Sequence, residues 1–207
     1  MKDKLSLLFK ILIVIISGIG LYLNFNLLGI QNALPFFTIL SNLFCFILYL
    51  VIVILMLFNK LNKNNTYYIF KGMATMSIII TMFVYQFLIS PNGLNVYENH
   101  LFVTELVHLV VPLLIVLDYF IFGEKGNIKK TYPLYWCEAI LAYLVFVIIY
   151  SLCGGTFNGE KAPYFFLDIE KEGLLSVIMY CAAIFIFYIG CGHIAYVIDN
   201  KLGNKDN

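Results

Sequence analysis

Residues 36–58 read Phe36-Phe37-Thr38-Ile39-Leu40-Ser41-Asn42-Leu43-Phe44-Cys45-Phe46-Ile47-Leu48-Tyr49-Leu50-Val51-Ile52-Val53-Ile54-Leu55-Met56-Leu57-Phe58, without a charge, a glycine or a proline. At about 1.5 Å per residue this run makes a helix of roughly 35 Å, enough to cross a hydrocarbon layer of about 30 Å. It shows no strict alternation of apolar and polar positions, which argues for a helix and against a barrel strand. Five further runs of the same character lie at approximately 5–23, 70–89, 101–122, 134–152 and 173–198. The last is longer than a span needs, so tilt or an interfacial end is expected. With 62% hydrophobic and 12% charged residues in 207, the chain has far more apolar surface than a soluble domain of this size buries. The expected fold is all-α: one integral membrane bundle of six transmembrane helices, occupying residues 1–207 as a single domain.

The basic residues set the expected orientation. All 13 are lysines. Lys2, Lys4, Lys60, Lys63, Lys71, Lys125, Lys129, Lys130, Lys201 and Lys205 fall at the N-terminus, in alternate loops and in the C-terminal tail. Lys161 and Lys171 fall on the opposite side, among Glu160, Asp168, Glu170 and Glu172. By the positive-inside rule both termini are cytoplasmic. The first run exceeds the 7–15 apolar residues typical of a signal peptide and lacks a convincing small-x-small cleavage site, so it is read as a retained helix. Arginine-free usage rich in Lys, Asn and Ile points to a microbe, and hence to its cytoplasmic membrane. No basic patch points to nucleic acid. Cys45, Cys137, Cys153, Cys181 and Cys191 are odd in number and form no C-x-x-C pair, so they read as small buried hydrophobes.

Two polar groups sit where lipid-grade sequence makes them costly. Thr38 lies in the first turn of the second helix, just after Pro35, among backbone N–H groups that have no partner within the helix. An oxyanion formed there would meet the positive end of the helix dipole. His108 lies seven residues into the fourth run, roughly 10 Å deep. Both helices enter from the same side, so a small offset brings the hydroxyl and the imidazole together as nucleophile and general base. Ser41 and Asn42 share Thr38's helix face and are candidate supporting residues. Glu105, three residues before His108, is the candidate to orient the imidazole. Pro112 lacks an N–H for the carbonyl of His108 and should kink the helix there. Glu-x-x-His occurs once, without the further acidic ligands a carboxylate-bridged site needs, so no metal and no cofactor are expected.

Elsewhere, Asp118, Glu138 and His193 form a second polar set toward the cytoplasmic side, read as a structural knot in preference to a proton path. His100 is expected to be solvated in an outer loop. The longest loop, 153–172, carries Ala162-Pro163-Tyr164-Phe165-Phe166-Leu167-Asp168, which is either an interfacial aromatic belt or a lid over the site. No internal repeat is evident, which weighs against inverted-repeat transporters.

Phe36-Phe37-Thr38-Ile39-Leu40-Ser41-Asn42, then His108-Leu109-Val110-Val111-Pro112-Leu113-Leu114-Ile115-Val116-Leu117-Asp118, then the Ala162–Asp168 run occur in that order. In these motifs the chain resembles the androgen-induced and androgen-dependent-TFPI-regulating membrane proteins and their bacterial branch. The resemblance covers almost the whole chain and implies the same six-helix layout. It also implies a threonine hydrolase of lipid esters, which in the animal members are fatty-acid esters of hydroxy fatty acids. The matching catalytic positions are Thr38 and His108. Animal members vary at the positions of Ser41 and Asn42, so the resemblance assigns neither a duty. The expected partners are a lipid ester or fatty-acid substrate and the membrane lipids. The rival readings are a transporter or channel with Glu105, His108, Asp118, Glu138 and His193 along its path, and a lipid-binding protein without turnover.

Overall fold

A computed structural model describes residues 2–92 and 100–203. Six helices are long and apolar enough to cross a membrane: α1 (Lys2–Leu28), α2 (Phe37–Leu57), α3 (Asn65–Ile89), α4 (Leu101–Phe122), α5 (Tyr132–Leu152) and α6 (Leu174–Gly203). The chain is by this criterion a multi-pass membrane protein, all-helical among the described residues apart from one isolated bridge between Phe157 and Glu160. Several helices outrun the apolar segments that announce them. α3 starts earlier because Asn64 caps it, its side chain accepting from the Tyr67 N–H at 3.0 Å. α1 continues to Leu28, where Gly29 takes a φ of +77° and lets the chain turn.

Spans α1 to α4 enclose one core, in which Ile13, Cys45, Tyr49, Ile78 and Ile115 are fully or almost fully buried. α5 and α6 pack on the flank of α3 through Trp136 and Tyr188, whose hydroxyl donates to the Trp136 carbonyl at 2.8 Å. The closest approach is at Gly72. A Cβ added there would lie 2.2 Å from the Trp136 ring, so only glycine lets α5 seat against α3. Hydrophobic contact alone does not hold such spans together in lipid, where the alternative surroundings are equally apolar.

A polar node does. Asp118 on α4 is wholly buried and receives Lys10 Nζ from α1 at 2.6 Å and Lys71 Nζ from α3 at 2.8 Å. The two lysines take different carboxylate oxygens, and the Tyr49 hydroxyl of α2 donates to the one Lys71 reaches, Oδ2, at 3.0 Å. Lys10 lies within the first apolar run and Lys71 at the start of the third, and both are buried rather than solvated. The expected knot of Asp118, Glu138 and His193 is therefore replaced by a different one. Glu138 is exposed, and His193 donates through Nδ1 to the Ile189 carbonyl of its own helix at 3.0 Å. The physical reason is that a buried carboxylate is neutralised best by ammonium groups, and of the two here Lys71 was counted among the loop lysines and Lys10 was not considered. Of the cysteines, Cys45 and Cys137 are buried as expected, Cys181 and Cys191 are half-buried, and Cys153 is exposed in the turn after α5.

Removing the carboxylate strands two buried cations, whereas removing one lysine leaves a compensated pair. Asp118→Asn should cost about 3–5 kcal/mol of stability, and Lys10→Met distinctly less. Thermal unfolding of the detergent-purified variants checks that order; equal losses would contradict the node.

Candidate active site

α2 begins below the lip of the bundle. Its first turn follows Phe36, whose extended backbone supplies no side-chain cap. The Thr38 N–H is met instead by the Tyr164 hydroxyl at 3.4 Å. The α4 helix rises about a turn and a half higher, since His108 is its eighth residue and Thr38 is the second of α2. The two side chains meet as the depth argument requires: Thr38 Oγ1 lies 3.2 Å from His108 Nε2.

The tautomer follows from what faces the other ring nitrogen. His108 Nδ1 lies 2.9 Å from the Thr104 carbonyl, which only accepts, so Nδ1 carries the hydrogen. Nε2 then presents its lone pair to the Thr38 hydroxyl, the arrangement a general base needs. The ring plane is held by Tyr85, which stacks on it with centroids 3.9 Å apart and a tilt of 25°. Glu105 was the candidate for the orienting role, and Thr104 takes it instead. Residues 106–110 form a π turn, and the wider turn changes which residues share a face. The i,i+3 pairing expected of an α-helix does not apply across it.

The same turn accounts for Asn42. Val111 N–H donates to the Leu106 carbonyl, one residue further back than in an α-helix. In that register the missing N–H of Pro112 falls opposite Val107, not His108. A bare carbonyl inside a span must find a donor, and Asn42 Nδ2 supplies it from α2 at 3.1 Å while also donating to the Thr38 carbonyl at 2.7 Å. Ser41 Oγ lies 3.0 Å from the Thr38 carbonyl and 2.8 Å from Thr81 Oγ1, and so ties α2 to α3. Both residues support Thr38 from behind. A second π turn, Tyr85–Ile89, places Tyr85, so two wide turns on facing spans meet at one imidazole.

Over this pair lies a cavity of about 350 Å³, lined by Thr38, His108, Tyr85, Tyr164, Phe165 and Leu28 among others. Its roof is the Ala162–Asp168 run, which folds back on the bundle; Phe157 and Phe166 are buried, and Phe36 meets both Phe157 and Tyr164 edge-on. Of the two readings of this run, lining the cavity is the one its position fits. Asp168 caps the following short helix through bonds from the Glu170 and Lys171 N–H groups, and ion pairs Lys161–Glu170 and Lys171–Glu160 stitch the two limbs of the loop. Burial pushes the Tyr164 phenol above its ordinary pKa, so its hydroxyl stays neutral beside Thr38. His100 is exposed at the start of α4, as expected of it.

Sequence reasoning missed Thr104, Tyr85 and Tyr164. Tyr164 had a signal, as the one hydroxyl in the Ala162–Asp168 motif. Tyr85 had none, being one aromatic among many. No family model, curated protein or solved structure matches the chain, so its chemistry is argued from its own geometry.

If Asn42 replaces the N–H that Pro112 lacks, the two positions must be coupled. Asn42→Ala should cost about 1–3 kcal/mol in the native background. In a Pro112→Ala background, where an N–H is restored to α4, the cost should shrink by about 1 kcal/mol. A double-mutant cycle by chemical or thermal unfolding measures it, and strict additivity would refute the assignment.

Proposed function

We propose that the protein is an intramembrane hydrolase of lipid esters, with Thr38 as nucleophile and His108 as general base. The observation that carries the reading is the 3.2 Å contact between Thr38 Oγ1 and an Nε2 left free by the bond from Nδ1 to Thr104. In the proposed reaction the Thr38 oxygen attacks the ester carbonyl as its proton passes to Nε2. The tetrahedral oxyanion collapses, the C–O bond to the alcohol breaks, and the imidazolium returns the proton to the departing alcohol. Water, deprotonated by the same nitrogen, then releases the acid from the threonine ester.

The oxyanion would form at the uncapped start of α2. There the neutral Tyr164 hydroxyl, already held against the Thr38 N–H, is the available donor, and the helix dipole has its positive end. The cavity holds roughly a dozen water-sized groups. A long-chain ester therefore fits only with part of its chain outside, passing between spans into lipid. With the lysine distribution placing both termini in the cytoplasm, the site opens to the outer leaflet of a cytoplasmic membrane. This is the chemistry the family resemblance implies for these two positions. A channel reading has less behind it, because Asp118 is tied up by two lysines and Glu138 and His193 do not join it.

Purified protein should release fatty acid from an ester substrate. Thr38→Ala and His108→Ala should abolish release while leaving the thermal unfolding profile near native, and Thr38→Ser should retain part of it. An activated-phosphonate lipid should label Thr38, as located by mass spectrometry. Full turnover in Thr38→Ala would refute the mechanism. Tyr164→Phe should lower kcat by about 10²–10³ with a smaller effect on KM, as loss of an oxyanion donor does; an unchanged kcat would remove Tyr164 from that role.

A further inference from the structure

A second and larger cavity, about 1150 Å³, opens at the end of the bundle that carries both chain termini. Its polar part sets Lys2, Lys10, Lys63, Lys71 and Lys125 against Asp3, Glu124 and Asp199, and its apolar part follows Thr75, Ile79 and Phe83 of α3 and Ile194 of α6. Three features of this cavity lack an explanation within the fold.

The first is charge. Lys10 and Lys71 are both buried in the cavity wall and share one carboxylate, Asp118. Lys63 pairs with Glu124 at 2.6 Å, and Asp199, bonded to the Tyr119 hydroxyl and the Ile128 N–H, makes no ion pair with Lys10 or Lys71 among the described residues. The node thus carries an uncompensated positive charge in a desolvated wall, an arrangement that calls for an anion. The second is the Trp136 indole. It is 1% exposed, lines the same cavity as Lys71 and leaves its N–H without a partner, its ring set against Gly72 of α3. A buried donor of this kind is normally satisfied. The third is shape. From Lys71 to Phe83 the groove follows twelve residues of α3, about 18 Å of apolar wall leading away from the charges.

We propose that this cavity binds a single-chain anionic amphiphile, with its carboxylate or phosphate head at Lys71, Lys10 and the Trp136 N–H and its chain laid along the α3–α6 groove. The head supplies the missing negative charge and an acceptor for the indole, and the tail covers a groove the protein leaves open. The site is remote from Thr38 and needs no turnover there.

Trp136 is the only tryptophan of the chain, so indole emission reports this cavity alone. The full-length protein in a neutral detergent is titrated with dodecanoate and dodecanol each brominated at carbon 4, close to the head group (bromododecanoate and bromododecanol), with a diacyl anionic phospholipid brominated at the same depth, and with inorganic phosphate. Bromododecanoate should quench the emission saturably, at concentrations at least tenfold below those at which bromododecanol does. Phosphate alone should neither change the emission nor displace the quencher. If the diacyl lipid quenches as well as the fatty acid, the single-chain assignment is wrong. Equal quenching by the alcohol refutes the charge argument, and displacement by phosphate refutes the need for a tail. Lys71→Gln should weaken quenching at least tenfold. Ala195→Phe, which fills the groove without touching a charge, should do the same, and it decides the matter if Lys71→Gln fails to fold. Thr38→Ala should bind as the native protein does, so failure here and failure of the hydrolase reading are separable.

Discussion

One carboxylate sets the register of four spans. Asp118 is reached by Lys10 from α1, Tyr49 from α2 and Lys71 from α3. An ion in that position costs several kcal/mol unless all its partners are in place. A slip of one helical turn, about 5.4 Å, would carry any of those partners out of reach. Packing between apolar spans in lipid does not impose such a register, because neighbouring side chains and lipid tails are nearly equivalent. The consequence extends along the bundle. Tyr49 lies eleven residues after Thr38 on α2, and Asp118 lies ten after His108 on α4. The two helices run in the same direction, so the bond that pins one pair aligns the other. The 3.0 Å contact at one end and the 3.2 Å contact at the other are two rungs of one ladder.

The finer geometry at the Thr38 end comes from a defect. Pro112 removes an N–H, the π turn at 106–110 moves the gap to Val107, and Asn42 fills it from the neighbouring helix. The same turn leaves the Thr104 carbonyl facing Nδ1 of His108. An α4 with an N–H-bearing residue in place of Pro112 would satisfy its own backbone and have no need of α2 at this depth. The irregularity therefore joins the helices that carry Thr38 and His108. It is also why π turns recur at functional sites: they free carbonyls and re-aim side chains without ending the helix.

How much of this was legible follows from which physics each feature uses. The six helices were legible, because span length and apolar composition are local properties, though caps such as Asn64 extended them beyond the apolar runs. The meeting of Thr38 and His108 was legible from depth, since both helices enter from one side and 1.5 Å per residue is a reliable ruler. The Asp118 node was only half legible. The carboxylate stood out, but Lys71 was counted among the loop lysines and Lys10, inside the first run, was not considered. Pairing is a tertiary fact that neither spacing nor composition encodes. Glu105 was the expected partner of the imidazole because the i,i+3 rule assumes an α-helix, and the proline that gave warning of a distortion did not reveal its register. The loop at 153–172 offered two readings that sequence alone does not separate. Both use aromatic residues near a surface, and only the contact of Tyr164 with the start of α2 distinguishes them.

The two polar centres differ in a way that matches their depth and solvent. The Asp118 node is built of full charges, borders the larger cavity and lies near the chain termini. The Thr38 site is built of neutral pairs: hydroxyl to imidazole, imidazole to carbonyl, amide to carbonyl, phenol beside a backbone N–H. Neutral groups are the cheaper ones to keep in an apolar setting, so the resting site has low electrostatic cost. On the proposed mechanism, charge arises there only in passing, as an oxyanion and an imidazolium a few ångströms apart. The positive end of α2 and the Tyr164 hydroxyl are fixed where the negative charge would develop, and they need no solvent to reorganise. A site assembled from neutral parts at a helix start stores no charge of its own, so on the proposed mechanism it would favour the transition state over the bound ester.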